Sequence, residues 1–338
     1  MFAYIIRRVI AGVIMLLVMT LVVFMLFFAS PVDPVALSCG KNCSPAVMKE
    51  TEKALGYDKP AVEQWANFLK GIAVGREYPD DPELRAAAPN LVTKCDAPCF
   101  GYSVLEGQTV NKQIADALPI SVSLAVVAVI MWLTMGVLLG IAAALTKGSI
   151  VDRGLVGLSL IFYALPTFFI GLFLLKFVGI KWQIWPFIDY VPIAEGGMGA
   201  WFLGLLMPAF VLAVVFTASY VRMTRAFVLE SMTEDYIRTA RAKGVQPRRT
   251  LFKHTFRAAL TPLVTMAGID FAGLLGGAII TETVFNYNGL GKLAVDANRN
   301  YDLPIIIGLV VLLATFVIVA NIIVDLLYAV IDPRVRIG

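Results

Sequence analysis

The chain is poor in side chains that carry out covalent or acid–base chemistry. Its 338 residues include a single histidine, His254, and four cysteines. A nucleophile paired with imidazole, or a histidine-rich metal site, therefore has almost nothing to draw on. The cysteines form two Cys-x-x-x-Cys pairs, Cys39/Cys43 and Cys95/Cys99. In an oxidising compartment they read as structural disulfides, with a metal site as the other chemistry open to them, and spacing does not choose among the three possible connectivities. Three carboxylates, Asp270, Glu282 and Asp325, lie in or at the ends of apolar runs, where burying a charge in lipid is costly and a functional role is the default reading. Asp270 is the candidate for lining a path through a membrane, with pairing to a basic residue on a neighbouring helix as the alternative. Glu282 and Asp325 suit interface bonds near the ends of their runs.

The elements holding these groups follow from composition. Apolar residues make up 59% of the chain and charged residues 15%, against about 45–50% and about 25% in soluble domains. A soluble globular protein and a disordered chain are both excluded. The apolar excess falls into six runs of about the length a bilayer-crossing helix needs: Val9 to Ala29, Leu118 to Leu145, Gly154 to Val178, Trp201 to Val221, Pro262 to Phe285 and Leu303 to Val330. The first follows Arg7 and Arg8 and reads as a retained anchor, being too long for a signal peptide. Pro166 and Pro208 can kink the third and fourth runs. Gly273, Gly276 and Gly277 read as small residues that permit close helix packing.

Basic residues near the span ends set the orientation. Arg7, Arg8, Lys147, Arg153, Arg334 and Arg336 mark cytoplasmic ends, and the segment between the fourth and fifth runs carries Arg222, Arg225, Arg238, Arg241, Lys243, Arg248, Arg249, Lys253 and Arg257. Both termini are then cytoplasmic, and the net charge of +4 is gathered on the inner face, with nothing pointing to nucleic acid. The long segment between the first two runs lies outside. Within it Val62, Trp65, Phe68, Leu69 and Ile72 recur at helical spacing and predict a short amphipathic helix.

The inner loop has its own punctuation. Ser231 and Glu234 stand at capping-box spacing, and Glu234 and Asp235 suit the positive end of a helix. Arg241 and Lys243 suit the negative end, Gly244 can take the left-handed cap conformation, and Pro247 stops the helix and opens a second one running to about Leu260. Thr239, Ala240 and Ala242 leave the first helix slim enough to enter another protein's groove. A basic cytoplasmic loop with helices is also an ordinary feature of membrane proteins.

The run Glu234-Asp-Tyr-Ile-Arg-Thr-Ala-Arg-Ala-Lys-Gly244, with Pro247-Arg-Arg and Arg257-Ala-Ala-Leu-Thr-Pro262 after it, resembles the coupling-loop signature of permease subunits of ABC importers, in particular the dipeptide and oligopeptide branch that includes nickel permeases. Arg7-Arg8, Ser30-Pro-Val-Asp-Pro34, Thr281-Glu-Thr-Val-Phe285 with Gly289-Leu-Gly291, and Asp325-Leu-Leu-Tyr-Ala-Val-Ile-Asp-Pro-Arg334 occur in the expected order. The outer segment with its cysteine pairs, and Asn288 where proline is common, depart from that pattern.

The spans and the resemblance together imply an all-α polytopic membrane protein with six transmembrane helices and the type I ABC importer permease fold. Residues 1–30 form the first transmembrane helix, 31–117 an extracytoplasmic segment, and 118–338 a five-helix core with its coupling loop at 222–261. The implied function is ATP-driven import of di- or oligopeptides, with nickel or another small solute as the alternative; an ion-coupled secondary carrier fits less well. The resemblance implies that this chain is no enzyme and holds no cofactor or metal, and it has no Gly-x-x-x-x-Gly-Lys-Ser/Thr phosphate loop by which to be the ATPase itself. ATP and Mg belong to two partner ATP-binding subunits. The other implied partners are a second homologous permease, an extracytoplasmic substrate-binding protein, the peptide and the lipid bilayer of a bacterial or archaeal inner membrane. Glu234, Asp235, Tyr236, Arg238, Thr239, Ala240, Arg241, Ala242, Lys243 and Gly244 are the implied coupling residues.

Overall fold

The computed structural model describes residues 2–28, 35, 44–185 and 189–331. Cys39 and Cys43 lie outside them, as do the side chains of His254, Lys253, Arg257 and Asp325 and the surroundings of Gly276 and Gly277. The chain divides into two units, Met1–Pro119 with Asn288–Ile322, and Ile120–Tyr287 with Ile323–Gly338.

In the first unit, α1 (Phe2–Phe28) is almost wholly apolar after Arg7 and Arg8 and packs so closely on the last helix that a Cβ on Gly12 would lie 2.8 Å from Ile318. From residue 44 the segment after it carries short helices and strands. Helix α2 (Pro45–Leu55) is capped by the Ser44 hydroxyl and ends at Gly56 in the left-handed conformation. Helix α3 (Ala61–Val74) is the amphipathic helix expected from the sequence. Its Phe68 packs on Phe24 with ring centroids 5.2 Å apart, and Trp65 Nε1 donates to Thr20 Oγ1 at 3.0 Å. Val62 is 58% exposed, so it stands off the buried stripe.

Strands β1 (Arg76–Tyr78) and β2 (Thr93–Cys95) pair antiparallel around α4 (Pro82–Ala87), with Arg76 opposite Cys95. Asp80 accepts from Lys59 Nζ at 2.9 Å and from Arg76 Nη2 at 2.8 Å. Burial alone would push its carboxyl up, but the two hydrogen bonds hold it below the usual carboxylate range. Cys95 and Cys99 are disulfide-bonded, and Asn111 fastens the loop behind them by accepting from Phe100 N at 2.9 Å and donating to Pro98 O at 2.6 Å. The short hairpin β3 (Tyr102–Ser103) and β4 (Gln108–Thr109) leads into α5 (Val110–Leu145). Val110, Ile114, Leu290, Ala297, Ile305 and Leu309 form the apolar core here. It is completed by α12 (Leu290–Asn300) and α13 (Leu303–Ile331), and the Ser103 hydroxyl donates to the buried Asp302 carboxylate before α13.

In the second unit, α5 packs against the long α8 (Ile193–Ser231). Glycines allow this contact: a Cβ on Gly136 would sit 2.5 Å from Tyr220 Cβ, and one on Gly140 2.8 Å from the Val221 carbonyl. Trp132, Tyr220, Leu124, Leu205, Met207 and Leu263 are the large side chains of this core. Helix α6 (Ile150–Ala164) ends before Pro166, and α7 (Thr167–Phe173), continued as a wider π-helical stretch over Leu174–Lys181, leaves it at 98°. The run from Gly154 to Val178 is therefore broken at Pro166. Pro208 sits inside α8, whose non-helical point is Gly197 instead.

Beyond the inner loop, Pro247–Arg249 opens a helix that passes through π-turns at Thr250–Thr255 into α10 (Phe256–Gly277), followed by α11 (Ile279–Phe285). The expected stop near Leu260 does not occur, because Pro262 is carried inside α10. A Cβ on Gly273 would meet nothing within 4 Å, whereas Gly136 and Gly140 lie in close helix contacts. Four helices are long and apolar enough to cross a membrane, Ile6–Leu26, Val110–Leu145, Ile193–Ser231 and Leu303–Ile323, and the bent pair makes up to five among the described residues. The fold is thus mostly helical, with two small two-stranded sheets.

Candidate functional site

The segment between α8 and α10 folds as a helix, a left-handed turn and a second helix. The first, α9 (Asp235–Ala242), starts later than the sequence predicts. Ser231 closes α8, and Glu234 takes the N-cap position without a side-chain cap bond. Ser231 is buried, so packing of the long helix overrides the capping-box spacing. At the other end the reading holds. Gly244 has φ +75°, and its amide donates to Arg241 O at 3.0 Å while Val245 N donates to Ala240 O at 3.1 Å, closing the helix as a left-handed cap does.

Burial around α9 is one-sided. Ile237 is fully buried and Ala240 half-buried, three residues on, whereas Glu234, Asp235, Tyr236, Arg238, Thr239, Arg241, Ala242, Lys243 and Gly244 are exposed. One apolar side chain seats the helix, and the residues expected from the sequence to couple face outward. Asp235 and Arg238 form an exposed pair at 3.6 Å. Beside α9 lies a cavity of about 640 Å³ lined by Ile141, Leu145, Met232, Arg241, Pro247 and Leu251.

Deeper in this unit, the Tyr220 hydroxyl donates to Asp270 Oδ2 at 2.7 Å, linking α8 to α10. Asp270 is half-buried, and its partner is a phenol rather than a basic residue. Glu282 is fully buried and accepts from Ser121 Oγ at 2.6 Å. Lys176 is exposed beside the Phe177 ring. No group of three or more His, Cys, Asp or Glu able to hold a metal occurs among the described residues.

Comparison with known proteins places this geometry. Residues 136–337 match the family described as the inner membrane component of binding-protein-dependent transport systems, and residues 1–125 match the corresponding N-terminal membrane component. The chain belongs to this family. A protein of Sinorhizobium fredii named as a peptide ABC transporter permease is 35% identical over 98% of this chain and 99% of its own. The dipeptide transport system permease protein DppB of Escherichia coli is 33% identical over 99% of both chains. A Brucella abortus protein named as a peptide transport system permease is also 33% identical over 99% of both. A solved amino acid ABC transporter chain aligns with 66% of this chain and 94% of its own, at TM-score 0.45 and 17% identity.

As a family member the chain is an inner-membrane permease component and not itself a catalyst. The N-terminal match, over residues 1–125, spans the segment 31–117 that departs from the expected pattern. Two features of the inner-membrane component escaped sequence reasoning. Ile237 is a lone apolar residue in a charged run, and only its isolation hints at an anchor. The other is an ion pair: Arg225 on α8 donates from Nε to Asp152 Oδ1 at 2.6 Å and from Nη2 to Asp152 Oδ2 at 2.8 Å. These residues are 73 positions apart, and no local pattern announces them.

Proposed function

We propose that the chain is the membrane-spanning subunit of an ATP-driven importer of di- or oligopeptides, coupled to separate ATPase subunits through α9 and Gly244. The observation that carries this reading is the one-sided seating of α9. A short helix anchored by Ile237, with ten coupling residues exposed or half-exposed around it and a left-handed stop at Gly244, offers a rigid knob to a groove in another protein. The helix beyond Pro247 runs on into α10, so a push on the knob has a stiff path to Asp270. The named functions of the relatives support peptide as the cargo.

In this reading six helices cross the membrane, the bent α6–α7 pair and α10 with α11 supplying the third and fifth. Residues 31–117 lie outside, both termini lie inside, and residues 118–338 form the core. A second permease of similar topology completes the path, an extracytoplasmic binding protein delivers the peptide, and Asp270 lines the path near the peptide's amino group. The partner subunits bind and hydrolyse ATP with Mg. Deleting the gene should abolish growth on defined di- and oligopeptides as sole amino-acid source, and the intact gene should restore it. Unchanged growth on every such peptide, with loss of nickel or another solute instead, would remove the peptide reading.

A further inference from the structure

The geometry points to Asp152 and Arg225 as a positioning pair, a clasp that makes α5, α6 and α8 follow the coupling loop as one body. The inference rests on the proposed coupling role of α9. Arg225 lies six residues before the end of α8 at Ser231, about 9 Å of helix, and α9 begins four residues later. Whatever reaches the loop reaches Arg225 next.

Asp152 is the third residue of α6. Its side chain is 5% exposed and that of Arg225 29%. The guanidinium engages both carboxylate oxygens in the forked geometry that fixes orientation as well as distance. Oδ2 accepts a third bond, from Gly148 N at 2.8 Å. The Asp152 amide in turn donates to Ser149 Oγ at 3.2 Å, and Ser149 N donates to Thr146 O at 2.9 Å just past the end of α5. One carboxylate therefore ties the α5–α6 turn to α8. Higher up, the Arg222 guanidinium lies 4.7 Å from the centre of the Tyr163 ring near the far end of α6, a second attachment between the same two helices. A lysine at 225 would keep the charge and lose the fork.

The test uses the transporter isolated through a tag on this chain, with spin labels on unnatural residues at the exposed positions Ile150 and Thr233. Distances are measured without nucleotide and with ADP, Mg and vanadate. The wild-type pair should give one narrow distribution in both states. In Asp152→Asn and Arg225→Lys the width should at least double with nucleotide and vanadate while remaining narrow without them, and Asp152→Glu should recover part of the loss. Distributions as narrow as wild type in both states overturn the clasp. Variants equally broad in both states, or no longer associated with ATPase subunits, overturn it too by showing a merely structural role. Failure of the coupling reading itself appears elsewhere, as retention of ATPase subunits by a chain lacking Tyr236 to Gly244.

Discussion

The Tyr220 hydroxyl and the Asp270 carboxylate meet at 2.7 Å in the interior of a helix bundle, and the tyrosine is 1% exposed while the acid is half-buried. Tyr220 thus aims one oxygen of Asp270 and leaves the carboxylate partly open. The Trp132 ring, 6.2 Å from that of Tyr220, restricts the phenol in turn.

If Asp270 lines the path, Asp270→Asn, which keeps the shape and removes the charge, should lower peptide uptake by about tenfold or more, the equivalent of roughly 1.4 kcal/mol. Tyr220→Phe keeps the charge and removes the aiming bond, so its loss should be smaller. Both variants should hold their ATPase subunits as wild type does. Uptake assays on matched amounts of membrane protein decide this, and undiminished uptake in Asp270→Asn contradicts the assignment.

Gly140 should tolerate no larger residue. A Cβ there meets the Val221 carbonyl at 2.8 Å and Thr224 Cβ at 2.6 Å, and backbone cannot step aside as a side chain can. Gly140→Leu should destabilise the α5–α8 contact by about 1–3 kcal/mol or more and lower the melting temperature in detergent. Gly157→Ala, inside α6 with nothing within 4 Å, is the control and should not lower it, since alanine is the better helix former.

How far these features could be read from the sequence depended on range. The Gly244 turn, the Pro247 start and the amphipathic α3 are local, set by backbone conformation and by apolar residues one turn apart, and they stand as read. Ser231 misled because its capping signal competes with the burial of α8, which continues through it. Pro166 showed that a break was possible but not its 98° angle, since apolar composition is the same on both sides. Tyr220 with Asp270, 50 residues apart, and Asp152 with Arg225 are tertiary pairs that no spacing encodes.

The segment between α1 and α5 should weaken in acid. Because Arg76 and Lys59 hold the Asp80 carboxyl below its ordinary range, the stability it supplies is fully present above the unfolded value near pH 4 and is lost as pH falls through the lower folded value. At neutral pH, Asp80→Asn should cost about 1–3 kcal/mol by removing the charge and one of the two oxygens that accept from two partly buried cations. Hydrogen exchange of α3 and β1, corrected for intrinsic rates, should show faster opening in the variant and no further acid-linked loss. Equal protection in both chains contradicts this.

Gly244 separates backbone demand from steric demand. Its φ of +75° disfavours side chains, yet a Cβ would meet nothing within 4 Å. Gly244→Asn, which accepts the left-handed region, should retain more uptake than Gly244→Val, which pays about 1–2 kcal/mol there. Equal activity of the two variants would show that the turn is not needed.

The central claim is that α9 holds the ATPase subunits. Its most direct test is the amount of ATPase that co-purifies with the chain lacking Tyr236 to Gly244, measured against wild type at equal amounts of this subunit in the membrane. The account predicts that the ATPase is lost while the truncated chain remains membrane-inserted; an unchanged amount of ATPase would contradict it.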